Sequence, residues 1–285
     1  MSTRLKGKPV ADALSDAIRE SVSNLQQKEI YPALTLIRAG EKPDDQAYER
    51  AIIKRCESVG IKVNSEVVPE DVDQLDFMSL LRRQNEDPAV HGILIFRPLP
   101  KHLKEDEIQY LISPEKDVDG FHPINAGKLM TGDPTAFAPC TPMAVMEILK
   151  HYEVPISGKR AVVLGRSMVV GKPVALLLLA ENATVTIAHS RTRDLETVTS
   201  EADILVAAIG KSEFVTAAHI KSGAVVADVG INVTDDGKMT GDVESGGAEA
   251  KAEAYTPVPG GVGSVTTAVL AKQVLKACEL QQLKH

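Results

Sequence analysis

Short runs that are mostly apolar, separated by longer stretches with helical spacing, limit this chain to few architectures. Residues 31–37 (YPALTLI), 92–96 (GILIF), 159–164 (KRAVVL), 183–188 (ATVTIA), 204–208 (ILVAA) and 224–229 (AVVADV) are the clearest of them. A strand with one wet face alternates apolar and polar residues, whereas a strand without polar positions is covered on both faces. Between these runs Val10, Leu14, Ile18, Val22 and Leu25 recur at helical spacing over residues 10–27. Further helices are expected around Tyr48 up to Val59 and Gly60, and over 75–85, 174–180 and 265–283, with one more strand over 61–68. The predicted class is α/β, with mostly parallel sheets covered by helices.

A length of 285 residues has room for two such domains. The glycine- and proline-punctuated stretch SPEKDVDGFHPINAGKLMTGDP, residues 113–134, closes the first α/β unit before the second begins. The net charge of -7 argues against a nucleic-acid partner, which calls for excess Lys and Arg. Cys56, Cys140 and Cys278 are odd in number and widely spaced, so reduced thiols are expected and not a disulfide framework. The first residues, MSTRLKGKPVADAL, lack the apolar core of a leader, and no window is apolar enough for a membrane span. A cytoplasmic protein without membrane contact is the expectation.

Three segments carry chemistry. Gly165-Arg-Ser-Met-Val-Val-Gly171 lies between an expected strand and helix, where glycines permit a tight turn and exposed N–H groups at the helix start can hold a pyrophosphate. Ser167 stands where a strict dinucleotide fingerprint has its second glycine, so an ordinary strand-to-helix turn stays open. The next strand ends in His189-Ser190-Arg191-Thr192 and not in the carboxylate that would take the ribose hydroxyls of NAD. With Arg166 in the turn, this cationic, hydroxyl-rich set suits a 2′-phosphate and hence NADP. The run Tyr255-Thr-Pro-Val-Pro-Gly-Gly-Val-Gly263 pairs prolines that hold the chain extended with glycines that admit a close ligand, although a crossover loop could also use it. Asp117 and Asp119 in EKDVDGFHPIN are either an Asp-rich turn or a carboxylate facing a ligand's N–H groups. The seven histidines form no metal-ligand pattern and no nucleophile elbow is present, so no metal is expected.

Taken in order, GILIFRPLP, KDVDGFHPINAGKL, PCTP, GRSMVVGKP, HSRT, DVGIN and YTPVPGGVG resemble the methylenetetrahydrofolate dehydrogenase/cyclohydrolase enzymes of folate one-carbon metabolism. The resemblance spans essentially the whole chain. It implies two α/β domains with a cleft between them. One is a folate-binding domain over residues 1–139 with the helix 265–285 packed back on it, the other a Rossmann-type NADP domain over 140–264. It also implies a tetrahydrofolate substrate, NADP as cofactor and a homodimer. Two reactions follow from it: oxidation of 5,10-methylenetetrahydrofolate, then hydrolysis of the methenyl product to 10-formyltetrahydrofolate. By that pattern Asp119 binds the pterin and Tyr48 stacks near it, the two being the catalytic candidates, while Pro257, Gly260 and Gly261 complete the folate side. Thr141, Gly165, Arg166, Ser167, Gly171, Ser190 and Arg191 are the expected NADP contacts, with Gly210 and Ile231 near the nicotinamide.

Two positions depart from the pattern. On a helix advancing about 100° per residue, the position four after Tyr48 lies about 40° away on the same face. The family carries a catalytic lysine there, and this chain has Ile52. The family also reads VQLPLP where this chain reads IFRPLP, so Phe96 replaces the assisting glutamine. Hydride transfer needs orientation more than proton movement, whereas hydrolysis needs a positioned acid or base. The expectation is an NADP-dependent dehydrogenase with weak or absent cyclohydrolase activity and a separate cyclohydrolase enzyme in the same cell. The alternatives are a bifunctional enzyme rescued by Arg55 or Arg97, a non-catalytic folate and NADP binder, and an oxidoreductase for another small substrate.

Overall fold

The computed structural model describes residues 2–234 and 237–283. Residues 1, 284 and 285, the outer ends of the expected first domain, lie outside them, as do 235 and 236 within the expected second. In chain order the elements are β1 (Thr3–Arg4), α1 (Gly7–Gln26), β2 (Ala33–Ala39), α2 (Pro43–Ser58), β3 (Lys62–Val68), α3 (Gln74–Glu86), β4 (Gly92–Ile95), α4 (Glu105–Ile108), α5 (Pro123–Thr131) and α6 (Cys140–His151). They continue as β5 (Arg160–Leu164), α7 (Gly171–Ala180), β6 (Thr184–Ala188), α8 (Leu195–Ser200), β7 (Ile204–Ala207), β8 (Val225–Asp228), β9 (Asn232–Val233), β10 (Met239–Thr240), α9 (Ser245–Lys251), β11 (Ala254–Tyr255) and α10 (Thr266–Gln282).

The described residues form two compact units, one of residues 12–140 and 267–283, the other of 2–11 and 141–266. In the first, β3-β2-β4 form a parallel sheet, with Ala33 opposite Lys62 and Leu34 opposite Gly92. β2 and β4 are buried at every position, which is why β4 reads as an unbroken apolar run and β2 as one interrupted only by Thr35 and Arg38. Phe77, Leu80 and Leu81 of α3 pack there with Ile93 and Ile95. In α10, Gln273 donates its side-chain amide to Val118 O (2.6 Å) and Ala138 O (2.9 Å), tying that helix to the segment around Asp119.

The other unit holds six parallel strands in the order β1-β11-β8-β7-β5-β6. The chain steps from β5 outward to β6 and then back past β5 to β7. The order therefore reverses between β5 and β7, and a parallel sheet binds ligands at the carboxyl ends of the strands at such a point. Leu164, Ala207 and Val226 lie in this unit's core.

Two features depart from the sequence reading. β1, at the start of the expected folate domain, joins the six-stranded sheet by pairing with β11, and two residues of polar sequence carry no legible pattern. α5 occupies the stretch that glycine and proline make look irregular, and α6 lies where no element is expected. In α5, Pro123 takes the first turn, where its missing N–H costs nothing, and the His122 ring accepts the Ile124 N–H at 3.0 Å as a cap.

Candidate active site

In the six-stranded unit the turn after β5 is shaped by close approaches. Gly165 has φ +134°, and a Cβ there would overlap Ala208 O in the turn after β7. A Cβ on Gly171 would overlap Gly165 O. Ser167 Oγ accepts the N–H groups of Val170 (3.1 Å) and Gly171 (3.4 Å), so the serine closes the turn at the start of α7. The side chain thus supplies the tight geometry that a second glycine would otherwise permit.

Leu164, Gly165, Arg166, Ser167, His189, Ser190, Ala208, Ile209, Lys211 and Phe214 line a cavity of ≈ 340 Å³ at the carboxyl ends of β5, β6 and β7. Arg166, Ser167 and Ser190 are exposed, their polar groups available to a ligand. Arg191 is exposed on the adjoining turn, where its N–H donates to His189 Nδ1 at 3.2 Å, but it does not line this cavity. Lys211 does, a cation that sequence reasoning missed because it lies beyond a separate strand.

A second cavity of ≈ 220 Å³ is lined by Asp228, Val229, Gly230 and Ile231 on one side and by Pro257, Val258, Pro259, Gly260, Gly261 and Ser264 on the other. The structure thus brings Ile231 together with Pro257, Gly260 and Gly261. Gly210 lines neither cavity, and its N–H donates to Asp242 Oδ2 at 2.9 Å. Thr141 lies in the first turn of α6 and also lines neither.

In the other unit Tyr48 sits on α2, partly exposed, with its ring edge-on to Phe96 at 5.9 Å. Phe96 follows β4 and is buried, and Ile52 has no exposure. The face that one helical turn places beside Tyr48 is therefore closed with apolar atoms. Arg55 donates to Ser15 Oγ at 2.9 Å. Arg97 lies with its guanidinium 4.3 Å from the Phe121 ring centre and Nη2 3.7 Å from Asp119 Oδ2. Of the two arginines, it is Arg97 that reaches Asp119.

The two carboxylates of the DVD segment have separate work. Asp117 is buried and accepts N–H groups from Phe121 (2.9 Å), His122 (2.8 Å) and the Asn125 side chain (2.8 Å), which folds the turn carrying Asp119. Burial pushes its pKa up to about 6. Asp119 remains partly accessible, its Oδ1 accepting the Cys140 N–H at 2.8 Å. Desolvation raises its pKa against the opposing pull of that N–H and of Arg97. Among the described residues no three His, Cys, Asp or Glu side chains group as a metal site, and no helix is long and apolar enough to cross a membrane.

The tetrahydrofolate dehydrogenase/cyclohydrolase catalytic domain matches residues 5–119, and the NAD(P)-binding domain of the same name matches residues 139–282. The chain is 61% identical over 281 residues to the bifunctional protein FolD of Alkaliphilus oremlandii, covering 99% of each. To that of Clostridioides difficile it is 53% identical over 287 residues, covering 100% of each. Among solved structures it is similar to the bifunctional enzyme FolD of Campylobacter jejuni, with TM-score 0.96 at 40% identity and coverage of 99% and 100%. It is also similar to the Trypanosoma brucei methylenetetrahydrofolate dehydrogenase-cyclohydrolase complexed with NADP cofactor and inhibitor, with TM-score 0.93 at 37% identity and coverage of 99% and 98%.

Proposed function

We propose, since this chain belongs to the tetrahydrofolate dehydrogenase/cyclohydrolase family, that it oxidises 5,10-methylenetetrahydrofolate with NADP and also hydrolyses the methenyl product. The observation that carries this is the full-length likeness to relatives named bifunctional, which leaves neither domain unmatched. The expectation of a lost hydrolysis and a separate cyclohydrolase finds no support in those relatives. A homodimer is proposed on the family resemblance alone, and a cytoplasmic location on the sequence reading above.

The residues present fit NADP. The tight turn at Gly165 and Gly171 lets a ligand come close to the start of a ten-residue helix, whose dipole favours the charge of a pyrophosphate. Arg166 and Ser190 share the adjacent cavity and suit the 2′-phosphate. NADP, when bound, supplies the hydride acceptor. The chain's part in that step is orientation. Asp119 accepts N–H groups of the pterin, Tyr48 offers a ring face beside it, and the loop at Pro257, Gly260 and Gly261 holds the folate side.

Hydrolysis asks more. The water oxygen bonds to the methenyl carbon, one proton leaves it, and collapse to the formyl group breaks the bond to N5, which takes the second proton. Asp119 is the acceptor for the first proton, because desolvation makes its carboxylate more basic. The Arg97 guanidinium supplies positive charge beside it.

A second reading, a dehydrogenase without hydrolysis, is favoured by the burial of Ile52 and Phe96 where the family has polar partners. Purified protein given methenyltetrahydrofolate without NADP decides between them. Loss of the methenyl absorbance faster than in buffer supports the bifunctional reading, and decay at the buffer rate supports the second.

A further inference from the structure

The geometry points to Asp242 as a positioning residue for hydride transfer, its single carboxylate setting the loop after β7 and the segment after β8 in one register. This rests on the reading above, in which NADP lies at the carboxyl ends of β5 and β7 with its nicotinamide near Gly210 and Ile231.

Asp242 has no exposure. Its Oδ2 accepts the N–H groups of Ile209 (2.7 Å) and Gly210 (2.9 Å). Its Oδ1 accepts the N–H of Lys211 (2.9 Å) and the side-chain amide of Asn232 (3.0 Å). Four donors meet one carboxylate, close to all that its lone pairs can take. Successive N–H groups converging in this way form a pocket for an anion, and here a side chain of the same unit fills it. Gly210 allows the convergence with φ +67°.

The bonds run to both cavities. Ile209 and Lys211 line the one behind the dinucleotide turn, while Asn232 follows Ile231, which lines the other. A second buried carboxylate fixes the first. Asp228 accepts the N–H groups of Gly230 (2.9 Å), Asp242 (3.0 Å) and Val243 (3.0 Å). Glycine at 230 and 241 is what the packing admits, because a Cβ would overlap Asp242 Oδ1 at the first and Asp228 Oδ2 at the second.

Asp242→Asn keeps the size but turns an N–H toward donors. Steady-state dehydrogenase kinetics on this variant should show kcat/KM for NADP down about 100-fold, as for a displacement near 1 Å in a reacting pair. The KM for methylenetetrahydrofolate and the circular dichroism spectrum should stay as in wild type. Asn232→Ala, which cuts one tie at a half-exposed residue, should lower kcat/KM for NADP by several fold and decides the question if Asp242→Asn does not fold. Unchanged NADP kinetics in the folded variant overturns the inference. So does a folate KM that shifts as far as that for NADP, which would mark a merely structural residue. Wild-type protein that forms no NADPH from methylenetetrahydrofolate would instead overturn the underlying reading, and is seen before any variant is made.

Discussion

In the six-stranded unit Arg166, Ser167 and Ser190 line a cavity with their polar groups exposed, whereas in the other unit Ile52 and Phe96 are packed away where polar side chains were called for. Holding a cofactor and aligning a carbon for hydride loss are tasks of position, and the first unit meets them with turn geometry and fixed charge. Moving protons through water attack is a task of ionisation, and the second unit has shed two of the usual groups for it. What it keeps is Asp119, with Arg97 stacked on Phe121 and facing the carboxylate.

The largest effect is expected at Asp119, which is proposed to take part in both reactions. Asp119→Asn should lower kcat/KM for methylenetetrahydrofolate about 10²- to 10³-fold, with thermal stability nearly unchanged. Full activity in that variant would remove Asp119 from the site. Arg97→Leu comes next and separates the reactions. Methenyl hydrolysis should fall at least about tenfold while NADPH formation changes by less than about threefold. Equal losses in both would mean that Arg97 merely shapes the Asp119 turn. In the other unit, Ser190→Asp sets a carboxylate against the 2′-phosphate and should raise the KM for NADP roughly tenfold while sparing that for NAD. A variant whose preference for NADP over NAD is unaltered would move the phosphate elsewhere in the cavity.

How far the sequence could be read follows from the range of the interactions. β2, β4, β5, β7 and β8 are legible because burial on both faces leaves mostly apolar residues, and the dinucleotide turn because its glycines lie within seven residues. β1 and β11 are two residues each, too short to carry a period. α5 is hidden by the proline that starts it. The partner of Gly210 is out of reach of any local pattern, because Asp242 lies far along the chain beyond β8 and the β9–β10 hairpin. The sequence alone does not separate Arg97 from Arg55. Only the path of the chain after β4 sets it beside Phe121 and Asp119, while Arg55 is taken up by Ser15.

The smallest expected effect compares the buried carboxylates of the two units. Asp117 in one and Asp228 in the other both have their pKa pushed up to about 6 from 3.8, chiefly by desolvation. Between those values the native state keeps a proton that the unfolded chain has released. The stability each contributes is therefore complete below about pH 4 and is lost as the pH rises through about 6. Thermal unfolding followed from pH 4 to 7 should show this as a fall of a few degrees in Tm, on top of the trends from groups with lowered pKa. Asp117→Asn cannot take up the proton, so it should flatten the part of the slope that belongs to the three-stranded unit and leave the part from Asp228. If the slope survives intact in Asp117→Asn, its three N–H partners hold Asp117 ionised in the native state. The turn carrying Asp119 would then be anchored by a buried charge.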